Sequence, residues 1–333
     1  MKIIVPMAGR GSRLRPHTLT VPKPLVPIGG KPIVQRLVED ITKVCQEKVD
    51  EIAFIIGDFG EKVEKDLVAV AEKLGAKGTI YHQEEALGTA HAILCAQDSL
   101  EGNVVVAFAD TLFRADFTLD SSKDGIIWVQ RVEDPSAYGV VKMDENEIIT
   151  DFIEKPSTFV TDLAIIGIYY FKDGKNLRNE LQFLIDNDIM DRGEYQLTDA
   201  LENMKQKGIK FSPGKVVEWL DCGNPKAAVY ANQRVLEHHK DEDMIASSAT
   251  IKETKIIAPC FIGEGVHIEG STIGPYVSIG ANTKIVNSTI ENSIIQTETV
   301  IESAELEDSM IGNNVLYKGG SKSISIGDYS AVY

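Results

Sequence analysis

Residues Met7–Thr18 read Met-Ala-Gly-Arg-Gly-Ser-Arg-Leu-Arg-Pro-His-Thr, and the tripeptide Pro22-Lys23-Pro24 follows shortly after them. The apolar run Ile3-Ile4-Val5 stands directly before this stretch and predicts a buried first strand. Gly9 and Gly11 are able to adopt positive φ, which lets the backbone approach an anion with successive N–H groups pointing at it. The sequence therefore predicts a strand followed by a glycine-rich loop, an arrangement common in phosphate sites.

Polar and cationic side chains surround these glycines. Ser12 adds a hydroxyl donor, and Arg13, Arg15 and Lys23 add three positive charges, enough to compensate most of the charge of a triphosphate. The spacing excludes a P-loop, and Leu14 stands where a dinucleotide-binding loop needs its third glycine or alanine. An irregular surface loop with incidental arginines is the alternative. The combination of glycines, serine and cations favours a loop that binds the phosphates of a nucleotide.

The order G-x-G-S-R-L-x-P-x-T followed by K-P resembles the signature of the sugar-1-phosphate nucleotidyltransferases, which make nucleotide-activated sugars. The resemblance implies that Arg13 and Lys23 contact phosphates and act in catalysis. It also implies a nucleotide-binding role for the residues of the loop itself, namely Ala8, Gly9, Gly11 and Ser12.

Length and composition suit a two-domain globular protein. The chain has 333 residues, of which 43% are hydrophobic and 25% charged, and its formal net charge is −16. That charge argues against general binding to nucleic acids or to anionic membranes, so the opening loop is a local basic island. Four scattered cysteines suggest neither a zinc site nor a disulfide framework, and no run reaches the ~20 apolar residues of a membrane helix. We expect a cytoplasmic protein.

Strands and helices alternate through the first 110 residues, which predicts a parallel sheet with helices on both faces. Strands dominate from Gly125 to Phe171, helices return afterwards, and the charged run Lys240–Asp243 is a plausible boundary. Predicted helices cover residues 32–45, 61–74, 88–96, 177–185, 195–207 and 226–239. Predicted strands cover residues 3–5, 51–57, 78–82, 104–109, 126–132, 139–143, 148–153 and 164–171.

An internal repeat begins after residue 244, where an aliphatic residue recurs every five or six positions. The recurring residues are Ile262, Ile268, Ile273, Ile279, Ile285, Ile290, Ile295, Ile301, Leu306 and Ile311. Such a period indicates a β-solenoid and resembles the hexapeptide-repeat left-handed β-helix, whereas antiparallel strands, the rival interpretation, would not explain the even spacing. We therefore expect an α/β fold: a Rossmann-like nucleotidyltransferase domain with a mixed sheet at residues 1–240, then a left-handed parallel β-helix at residues 245–333.

Two aspartates are candidate metal ligands. Asp110 ends the apolar run Val104–Ala109, where a carboxylate either caps a turn or binds a metal at the active edge of the sheet. Asp221, in the stretch Trp-Leu-Asp-Cys-Gly, resembles the second metal-binding aspartate of the family. The resemblance implies that both carboxylates bind Mg²⁺, a cation that prefers oxygen ligands and keeps several waters.

Further motifs resemble the substrate-binding elements of the family. The stretch Glu154-Lys155-Pro156, together with Gly139 and Gly167, resembles the sugar-phosphate site; a solvated strand end is the alternative for the Glu-Lys pair alone. The base-recognition region is represented by Gln83, Gly88 and Thr89.

The resemblance implies transfer of a nucleotidyl group from an NTP to a sugar-1-phosphate, with dTTP or UTP and glucose-1-phosphate favoured. Three alternatives stay open: a mannose-1-phosphate guanylyltransferase, a bifunctional enzyme with sugar N-acyl transfer in the β-helix, and a non-catalytic regulatory subunit. We expect a homo-oligomer, dimer or tetramer, in which residues 245–333 serve stability and association, so that the preceding residues keep some activity without them.

Overall fold

The computed structural model describes residues 1–9, 11–45, 47–116, 118–320 and 323–332. The chain forms two compact units, one of Met1–Gly9 and Leu37–Trp219 and the other of Arg10–Arg36 and Leu220–Tyr333. Most of the opening loop thus groups with the C-terminal residues. The domain boundary expected between residues 240 and 245 stays a prediction, because compactness does not test which segment folds alone.

Secondary structure follows the predicted order, with additional short strands. The helices are α1 (Ile33–Val44), α2 (Glu61–Lys73), α3 (Thr89–Leu94), α4 (Gly174–Asp186), α5 (Leu197–Gln206) and α6 (Pro225–His238). The strands before the repeat are β1 (Lys2–Pro6), β2 (Pro27–Ile28), β3 (Lys31–Pro32), β4 (Glu51–Ile56), β5 (Lys77–His82), β6 (Val104–Ala107), β7 (Thr111–Arg114), β8 (Gly125–Arg131), β9 (Val140–Met143), β10 (Ile149–Ile153), β11 (Leu163–Phe171), β12 (Phe211–Lys215) and β13 (Glu218–Asp221). No helix in the described ranges is long and apolar enough to cross a membrane.

A nine-stranded mixed sheet forms the centre of the first unit, in the order β10-β9-β11-β6-β1-β4-β5, with β8 beside β11 and β12 beside β8. Strands β6, β1, β4 and β5 are parallel, whereas β11 runs antiparallel to β6, β8 and β9. The residues Ile52–Ile56 of β4 are all buried, a continuous apolar run typical of a parallel strand that is covered on both faces. The expected mixed α/β sheet is confirmed.

The four parallel strands end at one edge of this sheet. Pro6 is paired with Ile55, and Ile56 is paired with His82, so β1, β4 and β5 finish side by side. Strand β6 is parallel to β1, so β6 ends at this edge as well. Ligands of open α/β sheets bind outside the carboxyl ends of the strands.

The second unit contains the β2–β3 pair, α6 and a parallel β-helix. The strands of the β-helix are β14 (Thr250–Lys252), β15 (Lys255–Ile256), β16 (Cys260–Ile262), β17 (His267–Glu269), β18 (Thr272–Ile273), β19 (Val277–Ile279), β20 (Lys284–Val286), β21 (Thr289–Ile290), β22 (Ile294–Ile295), β23 (Val300–Glu302), β24 (Glu305–Leu306), β25 (Met310–Ile311), β26 (Leu316–Lys318), β27 (Ser325–Ile326) and β28 (Ala331–Val332). They stack in three parallel sheets, and each coil advances by 15 to 17 residues.

The repeat places its aliphatic residues inside the β-helix as predicted. All ten are at most 2% exposed. Residues between the short strands adopt positive φ, among them Asn282, Asn287 and Asn292, and asparagine tolerates this left-handed conformation better than most residues. The stacked parallel strands are consistent with the expected left-handed form.

Candidate active site

Gly9 and Asp110 follow neighbouring strands of the first unit. The amide of Met7 donates to the carbonyl of Ile55 at 2.8 Å, which continues the β1–β4 pairing up to the loop. A Cβ atom added at Gly9 would meet no atom within 4 Å, so the backbone at Gly9 borders open space. Asp110 follows β6 with a half-buried side chain. The carboxyl edge of the sheet therefore carries both the start of the predicted phosphate loop and the first candidate metal ligand.

The rest of the loop lies in the second unit and is built around Gly11. Its φ is +66°, and an added Cβ would stand 2.5 Å from the Cβ of Lys23. Only glycine fits there, since the conformation is left-handed and the Lys23 side chain packs directly on it. The hydroxyl of Thr18 donates to the Gly11 carbonyl at 2.8 Å. The expected positive φ is thus confirmed at Gly11. Arg10, in the middle of the stretch, lies outside the described residues.

The side chains of Arg13 and Asp221 both lie beside Gly223 in the second unit. A Cβ added at Gly223 would lie 2.9 Å from Asp221 Oδ1 and 3.3 Å from Arg13 Nη2. Asn224 caps α6 by accepting a hydrogen bond from the amide of Ala227 at 3.0 Å, which fixes the turn after β13. Gly223 therefore leaves room between a carboxylate and a guanidinium. Ser12 and Arg13 are exposed, whereas Lys23 is 6% exposed.

Glu154 is the centre of the predicted sugar-phosphate region. Its Oε2 accepts from the hydroxyl of Thr198 at 3.3 Å, and its Oε1 lies 3.5 Å from Lys155 Nζ. An added Cβ at Gly139 would stand 3.1 Å from Glu154 Oε2, so a larger residue there would crowd the carboxylate. Lys155 has φ +38°, and its amide donates to the carbonyl of Tyr138 at 3.1 Å. The structure thus brings together Gly139, Glu154 and Lys155.

Two titratable groups lie near Glu154, and one of them, Tyr169, also lies near Asp110. Burial raises the pKa of the Tyr169 hydroxyl far above its usual value, and the nearby carboxylates of Glu154 and Asp110 raise it further. Burial also raises the pKa of Asp199, with added repulsion from Asp191 and Glu154. Glu154 therefore stands in a partly buried acidic region, where hydrogen-bond donors or cations of a ligand would be favourable.

Gly167 makes an irregularity in β11. Its φ is +84°, and the register of β11 against β8 shifts between Ile165 and Tyr169. The Gly167 carbonyl accepts from the amide of Phe108 at 2.9 Å, and the hydroxyl of Thr111 donates to the carbonyl of Ile166 at 3.0 Å. This irregularity ties β11 to the connection that carries Asp110, so Gly167 lies at the same edge of the sheet.

The predicted base-recognition residues form a compact network. Gln83 Nε2 lies 3.1 Å from the Nδ1 atom of His91 and donates weakly to the Gly88 carbonyl at 3.4 Å. Gly88 has φ +109°, and an added Cβ would collide with the backbone of Tyr195 at 2.5 Å. The hydroxyl of Thr89 accepts from the amide of Leu197 at 2.9 Å. The start of α3 is therefore held directly against the start of α5.

Comparison with known proteins identifies the family. Residues 2–238 match the family described as "Nucleotidyl transferase". The chain belongs to the nucleotidyl transferase family. Among its relatives are a glucose-1-phosphate thymidylyltransferase of Streptomyces antibioticus, 30% identical over 100% of this chain and 99% of the relative, and the low-salt glycan biosynthesis nucleotidyltransferase Agl11 of Haloferax volcanii, 32% identical over 94% and 92%. A crystal structure of UDP-glucose pyrophosphorylase complexed with UDP-glucose shares the fold, with a TM-score of 0.60 and 23% identity over 71% of this chain and 98% of that one.

Membership in the nucleotidyl transferase family confirms the predicted resemblance and enzyme class, while the roles of individual residues stay predictions. Some residues that the sequence analysis did not single out lie against the candidate residues. They are Thr198, which donates to Glu154, His91, which lies against Gln83, and Tyr169, whose hydroxyl is near Glu154 and Asp110. Its position in the sequence could have indicated His91. Two residues after Thr89 on a helix, a side chain faces the opposite side, and here that side carries Gln83.

Proposed function

We propose that this transferase joins a nucleoside monophosphate unit from an NTP to a sugar-1-phosphate and releases pyrophosphate. The observation that carries the proposal is the convergence of Gly139, Glu154 and Thr198 in a region whose Tyr169 also neighbours Asp110. Hydroxyl-binding groups thus share one edge of the sheet with a candidate phosphate-site carboxylate. The names of the two relatives that match nearly the whole chain support the same class of reaction.

In the proposed reaction, an oxygen of the sugar phosphate attacks the α-phosphorus in line and pyrophosphate leaves on the opposite side. Arg13 and Lys23 stabilise the charge that develops on pyrophosphate, and Lys155 holds the attacking phosphate. Glu154 accepts hydrogen bonds from sugar hydroxyls, with Gly139 and Gly167 leaving space for the ring. No protein nucleophile is needed, because catalysis rests on positioning and charge stabilisation.

We further propose that Asp110 and Asp221 hold Mg²⁺. The donor chemistry fits, since carboxylate oxygens are the protein ligands that Mg²⁺ prefers and phosphate oxygens and waters complete its shell. The space at Gly223, which a Cβ would fill 2.9 Å from an Asp221 oxygen, keeps that carboxylate accessible. When bound, the ion neutralises phosphate charge.

The favoured substrates are dTTP or UTP with glucose-1-phosphate. Gln83 Nε2 is directed at His91 and the Gly88 carbonyl. We therefore assign its Oε1 to the N3–H donor of thymine or uracil, with Gly88 allowing close approach and Thr89 fixing the start of α3. GTP with mannose-1-phosphate is the competing pair.

A matrix of NTPs against sugar-1-phosphates, with pyrophosphate release as the readout, tests the proposal. We expect the fastest release with dTTP or UTP and glucose-1-phosphate, and loss of release when Mg²⁺ is chelated. Fastest release with GTP and mannose-1-phosphate would favour the guanylyltransferase alternative. No release from any pair, by a protein whose fold is verified by circular dichroism, would contradict the proposed function.

A further inference from the structure

We propose that the terminal coil of the β-helix, residues 323–332, positions the phosphate loop and so sets the affinity of the enzyme for its NTP. This inference rests on the proposed function. It differs from the sequence-based expectation, in which residues 245–333 serve only stability and association. All residues that carry the argument belong to the second unit.

Three contacts join the loop segment Pro16–Thr20 to the terminal coil. The Nε2 atom of His17 lies 2.9 Å from the hydroxyl oxygen of Ser325, and the His17 side chain is fully buried. The hydroxyl of Thr20 donates to the Asp328 carboxylate. An added Cβ at Gly327 would stand 2.7 Å from Pro16 Cβ, so the two backbones are in close contact. The segment is thus held by hydrogen bonds of His17 and Thr20 and by the packing of Pro16 on Gly327.

The coils beneath hold Asp328 in place. Its Oδ1 accepts from the amide of Asn313 at 2.7 Å, and its Oδ2 accepts from Asn313 Nδ2 at 3.2 Å. Asn313 is itself bonded to Gln296, whose Oε1 accepts from Asn313 Nδ2 at 2.7 Å. Because three successive coils contribute to this chain of bonds, the terminal coil is a fixed support.

The anchored segment is directly connected to the phosphate-binding residues. Thr18, between His17 and Thr20, donates to the Gly11 carbonyl at 2.8 Å. Lys23 packs on Gly11 from the other end of the segment, as described above. Displacement of Pro16–Thr20 would therefore shift Gly11 and Lys23, and a misplacement of about 1 Å in a positioned group costs up to about a hundredfold in rate.

The expected effect is selective for one substrate. Glu154 and Lys155, which we assign to the sugar phosphate, belong to the first unit and take no part in the described contacts. A perturbed terminal coil should therefore raise the KM for the NTP and leave the KM for the sugar phosphate nearly unchanged. A merely destabilised protein would instead lose active molecules and change neither constant.

Gly327→Ala tests this directly, with Gly320→Ala as the matched control. Neither glycine has positive φ, and an added Cβ at Gly320 meets nothing within 4 Å, whereas the one at Gly327 strikes Pro16. We expect Gly327→Ala to raise the KM for the NTP about tenfold or more, by the positioning argument. Gly320→Ala should match wild type. Thr20→Val, which removes the hydroxyl donor at nearly constant volume, should act in the same direction, and Thr20→Ser should restore wild-type behaviour.

Hydrogen exchange of residues 11–25 gives a readout that does not depend on activity. Gly327→Ala and Thr20→Val should speed exchange in this segment, and Gly320→Ala should not. If the wild type releases no pyrophosphate from any substrate pair, the proposed function fails while the exchange experiment still decides the positioning role. Wild-type exchange and wild-type NTP KM in both variants would overturn the inference, as would equal rises in both Michaelis constants.

Discussion

Asp110 and Asp221 each present a half-buried carboxylate, one after β6 and one at the end of β13. We expect Asp110→Asn and Asp221→Asn each to abolish most turnover, because the amide keeps the shape of the side chain and loses the negative charge that Mg²⁺ requires. The loss of a metal ligand corresponds to several kcal/mol of transition-state stabilisation, or about a hundredfold or more in kcat. The rate of pyrophosphate release at several Mg²⁺ concentrations measures this loss, and Asp98→Asn, at an exposed residue, is the control. Near-normal Mg²⁺-dependent rates in both variants would contradict the metal assignment.

Lys155 stands beside Glu154 with its backbone fixed by the bond to Tyr138. We expect Lys155→Ala to raise the KM for the sugar phosphate far more than the KM for the NTP, since one charge-assisted phosphate contact is lost. Such a contact contributes about 1.5–3 kcal/mol, or about ten- to a hundredfold. Steady-state kinetics with each substrate varied in turn decides the matter, and the exposed Lys123→Ala is the control. Equal effects on both constants would show that Lys155 has been assigned to the wrong substrate.

We expect His17 to make the stability of the protein depend on pH. Burial lowers the pKa of its imidazole to about 4, against the opposing effect of the Asp328 carboxylate. The unfolded chain, in which a histidine pKa is about 6.5, therefore binds the proton first as pH falls. The contribution of His17 to stability is fully present above pH ~6.5 and is lost between pH ~6.5 and ~4, up to about 3 kcal/mol. Denaturant unfolding at pH 7, 6 and 5 of the wild type and of His17→Gln checks this, and an identical pH dependence of the two proteins would contradict it.

At the scale of elements, the start of α3 depends on Gly88, which packs against the backbone of Tyr195. Gly88→Ala would place an alanine at a φ of +109°, and its Cβ would lie 2.5 Å from the carbonyl oxygen of Tyr195. Both the backbone conformation and this contact disfavour alanine. We expect a loss of stability of about 2 kcal/mol or more and a raised KM for the NTP. Gly208→Ala, with φ +96° and nothing within 4 Å of the added Cβ, measures the backbone strain alone. Equal losses in the two variants, by thermal and kinetic assays, would mean that the contact with Tyr195 contributes nothing.

Elements with a strong local period were predictable from the sequence, and elements defined by distant partners were not. The helix α1 and the strand β4 were predicted to within a residue or two, because their apolar residues recur at helical spacing or form an unbroken run. The strand β12 contains Pro213 and Gly214 and was missed, since only its pairing with β8 makes it a strand. In the site, the motif indicated Arg13 and Lys23. The packing of Lys23 on Gly11 and the hydrogen bond between His17 and Ser325 could not be predicted, because no local sequence pattern shows that these residues are close in space.

At the scale of the whole molecule, the second unit is held together by a buried polar network as well as by the inward aliphatic residues. The fully buried Asn232 on α6 accepts from the amide of Gly29 at 2.8 Å and from the hydroxyl of Ser278 at 2.6 Å, and it donates to the carbonyl of Tyr276 at 3.2 Å. The ring of Phe261 packs on Gly30, where an added Cβ would collide at 2.3 Å. The β-helix therefore supplies hydrogen-bond partners and packing to residues that precede it in the chain.

This network changes what we expect of a truncated protein. The sequence predicted that the residues before the β-helix would keep some activity without residues 245–333. The contacts now argue otherwise, because truncation leaves the buried Asn232 without Ser278 and Tyr276 and the segment Pro16–Thr20 without Ser325 and Asp328. Each of these hydrogen bonds exchanged for bonds to water corresponds to about 0.5–1.5 kcal/mol, and the loss of packing on His17 and Gly30 adds to that.

We therefore expect the protein truncated at residue 243 to melt at a lower temperature and to lose NTP binding more completely than the Gly327→Ala variant does. If the β-helix also carries the association that the sequence predicts, the truncated protein forms smaller oligomers. Calorimetry, nucleotide titration and size-exclusion chromatography with light scattering separate these effects, because loop displacement alone lowers affinity without changing the assembly. A truncated protein with the NTP affinity of the wild type would contradict the positioning role of the terminal coil, and an unchanged assembly would remove the association role.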